Sequence, residues 1–209
     1  MSTVNFSRVS SSATLVACAA SLALTLAACG SDAGPSVATA PSVAEAPASS
    51  VTKAATSTCP TAVPDQGVAA EWTLPGTTGS VAVTGSTDTV APLVNVTAPF
   101  SVAETQVHTL QAGDGPVVAP TATVSVCYMG VNGRDGTVFD SSYERGAPVD
   151  FPLDGVVTGF QKAIAGQTVG STVAVAMVPA DGYPQGQPAA GIQPGDTLIF
   201  AIKVLGASG

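Results

Sequence analysis

The C-terminal half of the sequence consists of short runs rich in β-branched residues, bounded by Gly, Pro or Asp, with one segment of helical spacing. Such runs are typical of the strands of an antiparallel sheet. In segment 158–165, Phe160, Ala163 and Ile164 share one helix face, and Gly166 is suited to end the helix in a left-handed conformation. These features predict an α+β fold in which an antiparallel sheet wraps around one short helix. The predicted strands are 106–110, 122–128, 148–153, 172–178 and 197–205, with a turn at 113–116 between the first two.

The N-terminal part of the sequence carries an export signature. Arg8 precedes a run of small and aliphatic residues from Ala13 to Leu26, as in a secretory leader. The run ends in Leu-Ala-Ala-Cys29, which resembles a bacterial lipobox, whose cysteine is lipidated and begins the mature protein. We therefore expect a signal peptide over 1–28, lipidation of Cys29 and a location at the outer face of the cell membrane. An ordinary leader with an incidental cysteine is the alternative.

Two further segments precede the predicted domain. Residues 29–58 are Ala, Ser, Pro, Thr and Val with almost no aromatics, a composition that cannot bury a core and that predicts a tether. Residues 59–104 contain two β-like runs, 80–84 and 93–97, separated by Gly and Pro. Either a short β-extension or a loose linker fits this middle segment. Its Trp72 is expected to be a packing anchor.

Composition excludes several functions for the predicted domain, 105–209. The formal net charge is −8 and the basic residues are scattered, so nucleic acid is not an expected partner. His108 is the only histidine, and we expect it on the surface of a strand. Cys59 and Cys127 are isolated, so neither a metal-ligand spacing nor a Cys/His dyad is visible. Any reaction here must need little acid–base help.

Six short motifs then follow one another in a characteristic order and spacing. They are Val126-Cys-Tyr-Met-Gly130, Val138-Phe-Asp-Ser-Ser142, Gly155-Val-Val-Thr-Gly-Phe160, Val169-Gly-Ser171, Val178 to Tyr183, and Pro194-Gly-Asp-Thr-Leu-Ile-Phe200. Each motif is weak alone, but their joint order resembles the FKBP family of peptidyl-prolyl cis-trans isomerases.

The resemblance implies the family's fold and an apolar proline pocket that uses neither metal nor cofactor. Phe160 would form the pocket floor, and Ile192 would lie on a loop that overhangs it. The Tyr183 hydroxyl and the Val157 N–H would bind peptide carbonyls, and Tyr128 and Arg145 would hold Asp140. The implied catalytic residues are Tyr128, Phe139, Asp140, Phe160, Tyr183 and Phe200, and the implied substrate-binding residues are Val149, Phe151, Val156, Val157, Ile192 and Arg145.

Departures from the family pattern also concern this pocket. Phe160 stands where the family most often has tryptophan and Val149 where it has an aromatic, so a wider pocket is expected. Pro184 stands where glycine is usual in the tyrosine loop. Packing in the core of a β-domain is the alternative role for the aromatic residues. For Asp140 and Arg145 the alternative is a loop salt bridge.

By resemblance, the chain is expected to be a membrane-tethered isomerase that acts on proline-containing segments of exported proteins, with FKBP-directed macrolides as candidate ligands. Two alternatives belong to other classes. One is a module or holdase that binds proline segments without accelerating their isomerisation. The other is a structural envelope protein that keeps only the fold.

Two cysteines other than Cys29 remain in a mature exported chain, and that compartment is oxidising. A disulfide between Cys59 and Cys127 is therefore expected, with two free thiols as the alternative. Neighbouring residues of a strand point to opposite faces, so if Tyr128 lines the pocket, Cys127 faces the other side, where the middle segment could lie across it.

Overall fold

Two antiparallel sheets and two short α-helices make up residues 58–209, the part of the chain that the computed structural model describes. The predicted signal peptide, Cys29 and nearly all of the tether lie outside the described residues. No helix within 58–209 is long and apolar enough to cross a membrane. The strands are β1 (Trp72–Pro75), β2 (Thr78–Thr84), β3 (Leu93–Ser101), β4 (Gln106–Gln111), β5 (Thr123–Asn132), β6 (Val138–Ser141), β7 (Val149–Pro152), β8 (Thr172–Met177) and β9 (Leu198–Ser208), and the helices are α1 (Ser142–Arg145) and α2 (Thr158–Ile164).

The larger sheet, here called the main sheet, has the strand order β4-β8-β9-β5-β6, with β7 also paired to β5. Strand β5 pairs with β9 along its whole length, while β7 and β6 share its other side, β7 at the start and β6 near the end. Strand β4 is hydrogen-bonded to β8 and not to β5. The predicted turn at 113–116 therefore does not join two neighbouring strands, because the chain crosses from the edge of the sheet to β5.

Helix α2 packs against one face of the main sheet. Its buried side chains include Phe160, Ala163 and Ile164, the three residues that the sequence places on one helix face. Gly166 follows the helix with a φ of +82°, a conformation that costs glycine little. The α+β fold predicted from the sequence is confirmed.

A second sheet of three strands, β1-β2-β3, packs on the opposite face and is here called the covering sheet. Its Val81, Val83 and Phe100 contact small and apolar side chains of the main sheet, among them Ala174 and Ala176. Because successive side chains of a strand alternate between faces, β8 is buried on both sides, and all six of its residues are buried. The middle segment thus contains a three-stranded sheet that packs on the main sheet.

The predicted disulfide between Cys59 and Cys127 is present, with the Cα atoms 5.7 Å apart. Cys127 lies on the face of β5 opposite to Tyr128, in a small cluster with Cys59 and Tyr143. The Tyr143 hydroxyl is hydrogen-bonded to Ser86 at 2.7 Å. The bridge thus fixes the start of the described chain to the centre of the main sheet.

Trp72 stacks on His108, with the ring centroids 5.5 Å apart and the planes 6° from parallel. This contact joins β1 of the covering sheet to β4 of the main sheet. Trp72 is half-buried and His108 is exposed. The sequence-based roles of packing anchor and of surface strand residue are both confirmed.

Candidate active site

Five aromatic rings meet on the face of the main sheet that carries α2, and they are here called the aromatic cluster. Phe160 lies at its centre, with ring centroids 5.8 Å from Tyr128, 5.5 Å from Phe151 and 5.3 Å from Phe200. All three contacts are edge-to-face, the arrangement that aromatic quadrupoles favour. Phe139 completes the cluster through an edge contact with Phe200 at 5.5 Å.

Gly130 leaves room for two of these rings. It follows Tyr128 on the same face of β5 and pairs with Phe200 of β9. A Cβ atom built on Gly130 would lie 2.6 Å from a ring atom of Phe139 and 2.9 Å from a ring atom of Phe200. Separations this short require the rings to move, so a side chain at position 130 would displace Phe139 and Phe200.

The structure brings the predicted site residues together around this cluster. Ile192 is buried in the same core. The remaining apolar residues and Tyr183 are partly buried and pack against that core, so the cluster is partly exposed to solvent through Phe139 and Phe151. These partly buried residues are Phe139, Val149, Phe151, Val156, Val157 and Tyr183. Tyr143 lies outside the cluster, because it packs near the disulfide.

Val157 is the residue that caps the N-terminus of α2, and its side chain makes no capping hydrogen bond. Its carbonyl accepts from the N–H groups of Phe160 (3.0 Å) and Gln161 (3.1 Å). The N–H of a capping residue precedes the helix and takes no part in the helical hydrogen-bond ladder. Val157 itself packs against the core that contains the aromatic cluster.

A polar group of three residues borders the cluster. The Tyr128 hydroxyl donates a short hydrogen bond to Asp140, and Arg145 Nη1 donates to the other carboxylate oxygen at 2.5 Å. Arg145 Nη2 also donates to the Tyr128 hydroxyl at 3.3 Å. Helix α1 separates Asp140 from Arg145, which is its last residue. The Ser141 side chain caps this helix by accepting a hydrogen bond from the Glu144 N–H. The contacts expected of Asp140 with Tyr128 and Arg145 are present.

This group has a defined charge state at neutral pH. Burial, followed by the hydrogen bond to Asp140, raises the pKa of Tyr128. Burial works against ionisation of Asp140, yet the hydrogen bonds from Tyr128 and Arg145 outweigh it and lower the pKa of Asp140. The phenol is therefore a neutral donor and the carboxylate an anion.

Ser142 is a site residue whose role the sequence does not reveal. It is fully buried, and its Oγ accepts from the backbone N–H of Tyr128 at 2.8 Å. The same Oγ lies 3.5 Å from the Cys59 sulfur. Ser142 thus fixes the backbone of Tyr128 and joins the site to the disulfide. The only signal in the sequence is its place at the end of the 138–142 motif.

The arrangement suits one kind of ligand. The partly exposed aromatic rings can contact an apolar ring of a ligand, and the polar group of Tyr128, Asp140 and Arg145 lies beside them. The side chain of a prolyl residue is such a ring.

Known proteins similar to this chain match its C-terminal part. The model of the family described as FKBP-type peptidyl-prolyl cis-trans isomerase matches residues 115–205. A probable FKBP-type peptidyl-prolyl cis-trans isomerase of Haemophilus influenzae is 40% identical over 94 residues, which cover 45% of this chain and 39% of that protein. A probable FK506-binding protein of Corynebacterium glutamicum is 37% identical over 98 residues, covering 46% of this chain and 80% of that protein. An FK506-binding protein of Streptomyces anulatus is 38% identical over 108 residues, covering 49% and 86%.

Proposed function

Because the chain belongs to the family of FKBP-type peptidyl-prolyl cis-trans isomerases, we propose that its aromatic cluster accelerates the cis-trans isomerisation of X-Pro bonds. The observation that carries this proposal is the set of edge-to-face rings around Phe160, which is partly exposed to solvent and against whose core Val157 and Tyr183 pack. The chain spans only 39% of the length of the Haemophilus relative, so the proposal concerns the part that the two share.

The chemistry follows from the electronic structure of the amide. Resonance gives rotation about the peptide bond a barrier of about 18 to 20 kcal/mol. At the twisted transition state this resonance is lost, and the carbonyl oxygen carries less negative charge and needs water less. An apolar pocket that removes water therefore destabilises the planar state more than the twisted state. The proline ring would rest on Phe160, with the Val157 N–H and Tyr183 holding the neighbouring carbonyls.

A direct assay tests this function. The purified protein should raise the rate of cis-trans exchange in short proline peptides, measured by NMR exchange spectroscopy, and FK506 should inhibit it by competing for the same pocket. Peptide binding at the uncatalysed exchange rate would instead identify a binding module or holdase. Neither binding nor catalysis would identify a structural protein that keeps only the fold.

The rate should also be independent of pH between about pH 6 and 8. Tyr128 has a raised pKa and loses its proton above this window, whereas Asp140 has a lowered pKa and gains one below it. Both groups therefore keep one charge state across the window. His108 stacks on Trp72 and not on a ring of the cluster. A bell-shaped dependence of kcat/KM centred near neutrality would contradict the desolvation mechanism.

We further propose that the substrates are exported proteins, and that the chain is a lipoprotein anchored through Cys29 at the outer face of the cell membrane after removal of residues 1–28. The lipobox-like sequence before Cys29 supports the anchor, and the disulfide between Cys59 and Cys127 supports an oxidising compartment. A Cys29→Ala chain should lose its lipid and its association with membranes. Unchanged fractionation of this variant would contradict the anchor.

A further inference from the structure

The loop that carries Ile192 connects β8 to β9 and reaches into the aromatic core. Ile192 is buried there, and its backbone N–H and carbonyl pair with Gln187 at 3.1 and 2.8 Å. The carbonyl of the preceding residue, Gly191, accepts a hydrogen bond from Arg134 Nη2 at 3.1 Å. Arg134 belongs to the turn between β5 and β6, so this bond joins two segments far apart in the sequence.

A buried carboxylate orients the guanidinium of Arg134. Arg134 Nε donates to Asp196 at 3.2 Å, and the carboxylate of Asp196 also accepts from Asn132 Nδ2 at 2.7 Å and from the Gln193 N–H at 2.8 Å. Asp196 is itself buried, so these donors compensate its lost hydration. The Asn132 side chain accepts from the Arg134 N–H at 2.9 Å, which fixes the backbone of the turn as well.

The β5–β6 turn leads directly into β6, the strand that carries Phe139 and Asp140. Arg134 therefore links the turn that precedes Phe139 to the loop that carries Ile192. A guanidinium can do this because its donors form a rigid planar fork, one branch on the carboxylate and another on the Gly191 carbonyl. A lysine ammonium is a point charge on a flexible stem and cannot hold both acceptors in the same geometry.

We infer that Arg134, oriented by Asp196, is a positioning residue that holds Ile192 over the proline pocket, an inference that rests on the proposed function. Ile192 would contact the proline ring in both the planar and the twisted state of the bond. Loss of its positioning should therefore weaken binding of both states alike, which raises KM and leaves kcat nearly unchanged. Arg134 is partly exposed, with 38% of its side chain accessible. The Asp196 side chain is only 5% exposed, so Arg134→Met leaves a buried carboxylate with fewer donors and should also lower the melting temperature, and KM is compared at a temperature where both proteins are folded.

The test compares Arg134→Met and Arg134→Lys with Asp135→Asn. Asp135 is the matched control, because it contacts the same guanidinium at 2.7 Å, while its other hydrogen bonds are with Thr137 of the same exposed turn. We expect KM for a proline peptide to rise about 3- to 10-fold in both Arg134 variants, the effect of one hydrogen bond. Asp135→Asn should match the wild type.

A second measurement needs no catalysis. The δ1 methyl resonance of Ile192, assigned with an Ile192→Val variant, should shift in the free Arg134 variants and stay in place in Asp135→Asn. If the wild-type protein does not catalyse isomerisation but the Arg134 variants still show this methyl shift, the proposed function is refuted and the positioning role stands. An unmoved methyl together with an unchanged KM would overturn the positioning role, as would a KM increase matched by an equal fall in kcat.

Discussion

Replacing Phe160 by alanine should lower kcat/KM for proline peptides by about 10- to 100-fold. Phe160 contacts three other rings of the aromatic cluster and is 4% exposed, so its removal empties the floor on which the proline ring would rest. Burying a phenylalanine side chain is worth about 1.5 to 3 kcal/mol, and each 1.4 kcal/mol corresponds to about a factor of ten in affinity. Peptide exchange rates measured at several enzyme concentrations would give the ratio.

The same substitution also removes core volume, so loss of folding must be separated from loss of catalysis. Truncating a buried phenylalanine typically costs about 3 to 5 kcal/mol of stability. Phe160→Leu keeps most of the volume and should lose less activity, while circular dichroism reports the folded fraction. Tyr143→Phe is the matched control, because Tyr143 is equally buried but packs near the disulfide, outside the cluster. Full activity in Phe160→Ala would place the site elsewhere.

Removing the disulfide between Cys59 and Cys127 should cause a large loss of stability. The bridge joins residues 68 positions apart, and closing a loop of that length stabilises a fold by about 4 kcal/mol on the chain-entropy account. A loss of that size lowers the melting temperature by about 10 °C for a domain of this size. Thermal melts of a Cys59→Ala, Cys127→Ala double variant, and of the wild type with reductant, measure it.

The single variants make this test specific to the covalent bond. Either replacement alone breaks the bridge, so each single variant should melt close to the double variant. If the losses instead came from packing of the two buried side chains, the single effects would add up in the double variant. A double variant that melts with the wild type would show that the bridge adds nothing to stability.

The sequence predicts which aromatic side chains come together better than it predicts the order of the strands. The aromatic motifs identify the family, which similarity to known proteins confirms, and the rings of Tyr128, Phe160 and Phe200 do come together. The strand order is harder to predict, because strand pairing depends on contacts between segments that are distant in the sequence. The local sequence of β4 does not specify β8 as its partner strand. Strand β6 has only four residues, which is too short for an alternating pattern to be recognised.

Two further features of the fold, the burial of β8 on both faces and the polar contacts of Asp196, are harder to predict from the sequence. Every residue of β8 is small or apolar except its first, Thr172, the pattern of a strand buried on both faces, and the structure supplies the covering sheet that buries the second face. The link from Asp196 to Arg134 joins residues 62 positions apart, and that to Asn132 joins residues 64 apart. Polar pairs at such separations have no periodicity, so only the folded geometry reveals them.

The covering sheet determines how long a segment of this chain must be to fold when it is moved into another protein. The family model spans residues 115–205, which leaves out β4 and the whole covering sheet. A fragment cut to those limits would turn Ala174, Ala176, Ile199 and Ala201 toward water, an apolar surface that invites aggregation. In this protein the segment that matches the family is shorter than the unit that folds, and a soluble transplant into another chain would need to start before Cys59.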